Sequence, residues 1–457
     1  MKKDVREYRS IVGEVSSYIS GIGRANLPAE VITKAKQHVL DTLAAIVSGS
    51  KLKPGRLAKK YVKTQAGVKE AQVACSQIIT SAINAAFANG IMAHADETDD
   101  SHARSFTHPG CAIIPAALAV SERQGVDGIS FLKGVVVGYD IGCRITQALG
   151  VDTFRKSYRS SHSFGANFGA ASAAASVLGL KGESVQYVLS YAAQQASGVT
   201  YWVHEDEHVE KAFVFSGIPA RNGVTAALLI ESGFTGVLDP FSGERNFFVS
   251  FSSRANPELL SEGLGSRYEI VSTNIKKFSV GSPIQAPLQA MLNLVARTRL
   301  KATNVEGITV RLGEGLRTVD NRKMPDINIQ YILAVALLDG SLSFEAAHSS
   351  DRMKDRSVLK LRERITLVED PELRASSNKR QGIVEVTTKD GTQLREHVVS
   401  VRGTSENPMT TEEVEKKCSE LLKPVLGRDR TQRLIDKILN LEYVRNVREL
   451  RPLLSGS

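Results

Sequence analysis

Cysteine is scarce in this chain of 457 residues: Cys75, Cys111, Cys143 and Cys418 stand far apart and make no C-x-x-C pair. Such spacing excludes a disulfide-rich framework and a paired-cysteine zinc site, and a cytoplasmic, reducing setting is the expectation. Aromatic residues amount to 6%, with Trp202 the single tryptophan, and no Lys/Arg block is interleaved with them. The 58 basic residues outnumber the 49 acidic ones for a net charge of +9, but they are scattered along the chain. Nucleic-acid binding asks for a patch or stripe, so no nucleic-acid partner is expected, whereas small polyanions remain open. No run of eighteen apolar residues occurs, and the opening MKKDVREYRSIVGE lacks the apolar core of a signal peptide; neither a membrane span nor a leader is expected. Phosphate cradles of the G-x-x-x-x-G-K-[ST] type, a G-x-G-x-x-G after a strand and a G-x-S-x-G nucleophile elbow are all missing, which removes the common nucleotide-binding and α/β-hydrolase readings. What is there is globular: 42% hydrophobic and 23% charged residues exclude a disordered chain.

The first 265 residues read as helices. Leu27 to Ser48 places Val31, Ala35, Val39, Leu40, Leu43 and Ala44 on one stripe, and Gln72 to Ala93 and Cys111 to Ser121 are also apolar at helical spacing. Ser163 to Leu180 is built of small residues all round, which lets helices approach closely, and Asn222 to Ser232 reads as another buried helix. The texture changes between about Asn304 and Gly403. There NVEGITVRLG alternates in strand fashion and IVEVTTKDGTQLREHVVSVRG reads as a hairpin turning at Lys389-Asp390-Gly391. Asn328 to Leu338 and Leu342 to Ala347 look helical within it. After Pro408 a capping box of Thr410 and Glu413 opens a helix again. The expected fold is mainly α: a large all-helical domain (1–266 and 404–457) with an inserted α+β lid domain (267–403).

His204-Glu205-Asp206-Glu207-His208 satisfies H-E-x-x-H, the metalloprotease pattern. A third ligand at metzincin spacing is missing, since Lys211 and Val214 stand where Gly and His would be required. No metal is assigned on this segment; substrate contact or metal binding by it stays open.

Six of the nine histidines lie between residues 94 and 208. The densest stretch, HADETDDSHARSFTHPG (94–110), holds Asp96, Glu97, Asp99 and Asp100 together with His94, His102 and His108. Like charges crowded on a loop tethered to buried helices raise one another's pKa and suit general acid–base work, unless the loop is simply a solvated surface segment. His162 precedes the small-residue helix, where it either projects into a cleft or caps. Lys211 sits among Ala212, Phe213, Val214 and Phe215, snorkelling or partly buried beside an anion. The Lys276-Lys277 pair lies where the texture changes, as a carboxylate clamp or a solvated surface. Tyr331 puts a polar tip on an apolar helix, core or site.

The ordered segments LPAEVITKAKQHVLDTLAAIVSGS, NGIMAHADETDDSHARSFTHPG, GYDIGCRI, HSFGANFGAASAAASVLGL, GIPARNGVTAALLIESGFTG, IKKFSVGSPIQAPLQA and IQYILAVALLDG resemble the MmgE/PrpD family over nearly the whole chain. The resemblance implies a helical domain made from both chain ends with an inserted lid, a homodimer, no cofactor, and a lyase reaction of dehydratase or decarboxylase type on a small di- or tricarboxylate, by proton abstraction α to a carboxylate. An epimerase using the same two-sided proton transfer, or a non-catalytic carboxylate-binding relative, is the alternative. Which of Asp96, Glu97, Asp99 and Asp100 acts, and on which acid, stays open. Residue by residue, the resemblance implies catalytic roles for His108, His162, Glu97, Asp99 and Lys211. Substrate contacts fall to Ser101, His102, Lys276, Tyr331 and His208. Three departures stand out. Glu97 replaces an Asp. The pattern K-x-x-H-x-G is stretched by one residue between Lys211 and Phe215, which stands in the histidine's place. A lid histidine of the cis-aconitate decarboxylase branch is here Gly281, which speaks against a plain cis-aconitate decarboxylase.

Overall fold

Helices carry most of the backbone in this computed structural model, which describes residues 10–376 and 380–456. Helix α1 (Ala29–Gly49) is buried on every face from Val39 onward. It packs against α2 (Ala82–Ala93) and, from the far end of the chain, against Thr411–Leu426. The capping box expected at Thr410 and Glu413 is present with both of its hydrogen bonds. Helices α3 (Gly110–Gln124), α4 (Gly128–Ala148) and α5 (Ser161–Val177) complete the centre, joined by α6 (Ile218–Glu231). The small residues of α5 explain its burial. A Cβ added at Gly142 would lie 2.8 Å from the Gly165 carbonyl, and one at Gly169 2.7 Å from that of Gly138, so α4 and α5 touch backbone to backbone. The helical run Val209–Glu231 is by length and composition apolar enough to cross a bilayer. It nevertheless carries Lys211 and Arg221, and its α6 portion packs against α2 and α5, as a core helix does.

One expected helix starts late. The stretch 72–81 is not helical; Ala71–Gln72 (β1) pairs antiparallel with Ile79–Thr80 (β2). Side chains from elsewhere satisfy this backbone: Glu122 accepts from the Gln72 N–H at 2.8 Å, and the Asn89 amide accepts from Ala74 N–H and donates to Gln72 C=O. Tertiary partners thus override an apolar spacing that suits a helix locally.

Between residues 280 and 401 lies a second apolar cluster, separate from the one that unites 12–275 with 409–454. It contains a four-stranded sheet in the order β4-β3-β5-β6 (Ile365–Glu369, Val305–Leu312, Gly382–Thr388, Gln393–Val398). The β3–β4 pair is parallel and the other two are antiparallel. Strand β4, absent from the sequence reading, closes one edge. Helices α7 (Gln285–Thr298) and α8 (Ile329–Asp339) belong to the same cluster. Tyr268, Ile270 and Ile275 pack with the helical cluster. The chain passes between clusters where Ile275 N–H donates to Gly403 C=O, two crossing segments side by side.

Candidate functional site

The acidic loop between α2 and α3 is not a solvated surface. Every residue from His94 to Asp100 is buried. Nor are the pKa values of Asp96, Glu97 and Asp99 raised, as crowding alone predicts: although burial opposes it, nearby imidazoles and lysines lower all three. Asp96 accepts from Thr98 N–H and Oγ1–H and lies 2.9 Å from His348 Nε2. Glu97 binds Lys211 Nζ in a short contact, Lys276 Nζ at 3.2 Å and His208 Nε2 at 3.3 Å. Asp99 meets His94 at 2.8 Å, His108 at 3.3 Å and Lys276 at 3.4 Å. Asp100 accepts from Tyr139 Oη–H and Gly110 N–H and lies 3.0 Å from His38 Nδ1. Burial works against ionisation, yet the lysines hold Glu97 well below the usual carboxylate range. Asp99 is likewise held well below it, against burial, by His94, His108 and Lys276. Burial also opposes the charge on Lys276, but those two carboxylates win and raise its pKa. A fixed charge lattice is the result, not a proton reservoir.

Beside it lies a wall of imidazoles. His108 ends the loop and His162 opens α5, where Ser160 caps the helix by accepting from Ser163 N–H. Their ring centroids are 5.1 Å apart, so the two stand side by side and not on opposite faces of a cleft. Phe215 stacks on His162 at 3.9 Å and 12° and on His94 at 4.6 Å and 16°. Burial pushes His162 well below the ordinary imidazole range, helped by the charges of His108 and Lys211. Burial likewise lowers His94 to about 4. The residue that stretches the Lys211–Phe215 spacing has a structural counterpart: Phe213–Gly217 forms a π-helical turn. A π-turn absorbs one extra residue without breaking the helix, and here both Lys211 and Phe215 still reach the site.

The H-E-x-x-H segment comes apart. His204 is exposed at the end of a 3-10 turn, while His208 is buried with φ 60° and turns to Glu97. Glu205 accepts from the backbone N–H groups of Val209, Glu210 and Lys211, capping the helix that presents Lys211. Two triads, His94–Glu97–His208 and His94–Asp99–Cys111, bring potential metal ligands close together. In the first, Glu97 is already taken by two ammonium groups, and a dication would have to displace them.

A cavity of about 470 Å³ opens in front of the imidazole wall. Glu97, Ser101, His102, His108, His162 and Lys211 line it, all expected from the sequence. Asp99, His208 and Lys276 stand behind that lining, acting on Glu97 and His108. His102 is held by Ser105 at 2.7 Å and Glu269 at 3.2 Å. Tyr331 does not reach the cavity lining: it belongs to the sheet-side cluster and its hydroxyl donates to the Ala346 and Ser349 carbonyls. It thereby pins the turn that carries His348, a residue the sequence reading missed. Burial opposes charge on His348, but Asp96 and Asp326 raise its pKa to about 9. Also missed were the cavity arginines 155, 159, 322 and 380, which with Lys211 set five cations against Glu97 and Glu314. Their excess among scattered basic residues gave no local signal. Three polar atoms beside the cavity, His162 Nδ1, Trp202 Nε1 and Ser282 Oγ, are buried and without a hydrogen-bond partner among the described residues. Buried polar atoms of that kind normally have a partner, and here a ligand in the cavity can supply it.

Residues 13–260 match the MmgE/PrpD N-terminal domain and residues 278–442 the MmgE/PrpD C-terminal domain. The chain is 27% identical to a cis-aconitate decarboxylase of Aspergillus terreus, covering 97% of this chain and 96% of the relative. It is 26% identical to the cis-aconitate decarboxylase-like protein oryM of Aspergillus oryzae, over 98% of each. To the human cis-aconitate decarboxylase it is 25% identical, over 98% of this chain and 95% of the relative.

Proposed function

The chain belongs to the MmgE/PrpD family, and from that premise we propose that it is a cofactor-independent lyase acting on a small di- or tricarboxylate. The observation that carries this is the pair of imidazoles, His108 and His162, set in a cavity lined by five cations. Lys211 and the arginines hold substrate carboxylates and offset the negative charge that builds beside them. His162, kept neutral by burial, is a base or a neutral proton donor. His108, oriented by the Asp99 carboxylate 3.3 Å from its Nδ1, is the proton donor. In a decarboxylation the C–C bond to one carboxylate breaks, CO₂ leaves, and the electron pair spreads into the remaining conjugated carboxylate. His108 then protonates the carbon. In a dehydration His162 takes the α-proton while His108 protonates the departing hydroxyl. Both build negative charge on a carbon conjugated with a carboxylate, and the names of the similar proteins support the decarboxylase form. Each step is a proton transfer or a charge contact made by the chain itself.

The geometry gives less support to epimerisation by this pair. A substrate sandwiched between two bases needs about 7 Å between the rings, two van der Waals thicknesses of roughly 3.5 Å each, against the 5.1 Å found. The same reading takes 267–403 as a lid over the cavity and the protein as a cytoplasmic homodimer, which light scattering at monomer mass would overturn. The main test is incubation of pure protein with cis-aconitate-, citrate- and malate-like acids, following CO₂ and alkene absorbance. Release of CO₂ or formation of an alkene is expected. Deuterium uptake from solvent with an unchanged skeleton would instead mean epimerisation, and no change in any acid would overturn the proposal.

A further inference from the structure

The H-E-x-x-H segment, which the chemistry above leaves unused, belongs to a strap that runs along the cavity from residue 199 to 208. Thr200, Trp202 and Val203 of this strap line the cavity, whereas Glu205 does not. The strap nevertheless grips Lys211 at both ends of that residue. At the main chain, Glu205 Oε1 accepts from Val209 N–H and Glu210 N–H, each at 2.7 Å, and Oε2 accepts from Lys211 N–H at 2.9 Å. At the ammonium, Nζ lies 5.1 Å from the centre of the Trp202 ring. The strap is fastened in turn by residues that lie between Val319 and Ile329 of the second apolar cluster. Arg322 donates to the Val203 carbonyl at 2.7 Å, midway between Trp202 and Glu205, and Lys323 pairs with Asp206 at 2.7 Å.

A cap normally satisfies the first N–H groups of a helix and does no more. Two features direct this one at a single side chain. His208, just before the helix, has φ 60°, so the chain turns sharply there and carries no helical ladder into the first turn. The π-helical turn Phe213–Gly217 begins two residues after Lys211, so the regular ladder is interrupted on that side too. Lys211 therefore sits on one short turn whose first three N–H groups all end on Glu205. We infer that Glu205 is a positioning residue: by holding the main chain at 209–211 it sets the direction from which the Lys211 ammonium meets Glu97 and a substrate carboxylate. The inference rests on the reading of Lys211 as a carboxylate anchor in the proposed lyase.

The test is a double-mutant cycle on the full-length protein. Binding of citrate and of cis-aconitate is measured by calorimetry, with turnover followed in parallel, for wild type, Glu205→Ala, Lys211→Met and the two combined. Glu205→Ala should weaken binding about tenfold or more, as loss of one charge-assisted contact does. In the Lys211→Met background the same change should add less than about twofold, because the side chain that Glu205 directs is gone. Glu205→Gln keeps one oxygen for Val209 and Glu210 and should recover part of the loss. If Glu205→Ala does not fold, Glu205→Gln runs the same cycle, with a smaller loss that must still vanish in Lys211→Met. Wild-type binding in Glu205→Ala, or a loss that persists undiminished in Lys211→Met, overturns the inference and leaves Glu205 a helix cap. The expected cycle without turnover of either acid leaves the inference standing and counts against the lyase reading alone. Failure of wild type to bind either acid overturns both.

Discussion

His162 is buried and His348 half-buried, and the two imidazoles sit in opposite charge states. His162 stacks on Phe215 and lies near the His108 ring, and burial without an anionic partner drives its pKa far down. His348 lies 2.9 Å from Asp96, with Asp326 adding to the field, and its pKa rises to about 9 although burial opposes this. Burial opposes the charge on both, so the partner decides. One region of the site keeps imidazoles available for proton transfer, and the other fixes charges in place to hold elements together. The two tasks need contrary surroundings, which is why a site this small contains both an aromatic stack and an ion lattice.

The lattice should break first and furthest. Lys276→Met leaves Glu97 and Asp99 buried with one cation fewer. Stripping one partner from a buried pair costs about 3–5 kcal/mol, so chemical denaturation should show a loss of that order together with loss of turnover. An unchanged unfolding midpoint would mean that the lattice is not what holds the loop.

His348 sharpens the contrast through pH. Its folded pKa of about 9 lies above the unfolded value of 6.5, so its contribution is fully present below pH 6.5 and is lost as pH rises through 9. The gap corresponds to on the order of 3 kcal/mol. Wild type should therefore lose more stability between pH 6.5 and 9.5 than His348→Gln does, with urea midpoints as the readout. Parallel pH profiles in the two proteins would show that the imidazolium contributes nothing.

On the other wall, His162→Ala and His108→Ala should each lower turnover about a hundredfold or more, the usual worth of a positioned acid or base. Unfolding should be nearly unchanged in His162→Ala, whereas His108→Ala also takes a partner from buried Asp99 and should lose stability as well. His397, exposed on β6 and paired with Gln381, should tolerate the same change. His38 is not an equivalent control. It is fully buried 3.0 Å from Asp100, which accepts from the N–H of Gly110 where α3 begins. Wild-type rates in both His162→Ala and His108→Ala would mean that the chemistry lies elsewhere.

How much of this was legible follows from how local each signal is. The capping box at Thr410, the small-residue helix α5 and the β3 alternation are written within a few residues, and the structure contains all three. The loop 94–108 announced itself by composition, but its burial and the pairing of each carboxylate did not, because the partners Lys211, Lys276 and His348 come from distant segments. The β1–β2 hairpin was misread for the same reason: Glu122 and Asn89 satisfy it from outside. His348 gave no signal, being a single histidine after a one-turn helix. The extra residue between Lys211 and Phe215 was visible as an altered spacing, and only the π-turn shows that it leaves both side chains directed at the site.

That turn leads to the smallest expected effect, at Phe215. Its ring lies flat on His162 at 3.9 Å and acts on that imidazole in two opposing ways. It excludes water, which disfavours the imidazolium by up to several pKa units for a fully buried group. Its π face also attracts a cation, by about 0.5–2 kcal/mol, or at most about 1.5 units. Exclusion of water is the larger, in keeping with the depressed pKa of His162. Phe215→Leu removes the π face and leaves a gap next to the cavity, where the unpartnered His162 Nδ1 gives water a polar anchor. The pKa of His162 should then climb toward 6.5. Turnover at pH 8 should fall only severalfold, but the acid limb of the kcat/KM profile should move to higher pH, because the imidazole becomes protonated sooner. A uniform loss at every pH would reduce Phe215 to packing, and a shift toward lower pH would mean that the cation–π attraction outweighs desolvation.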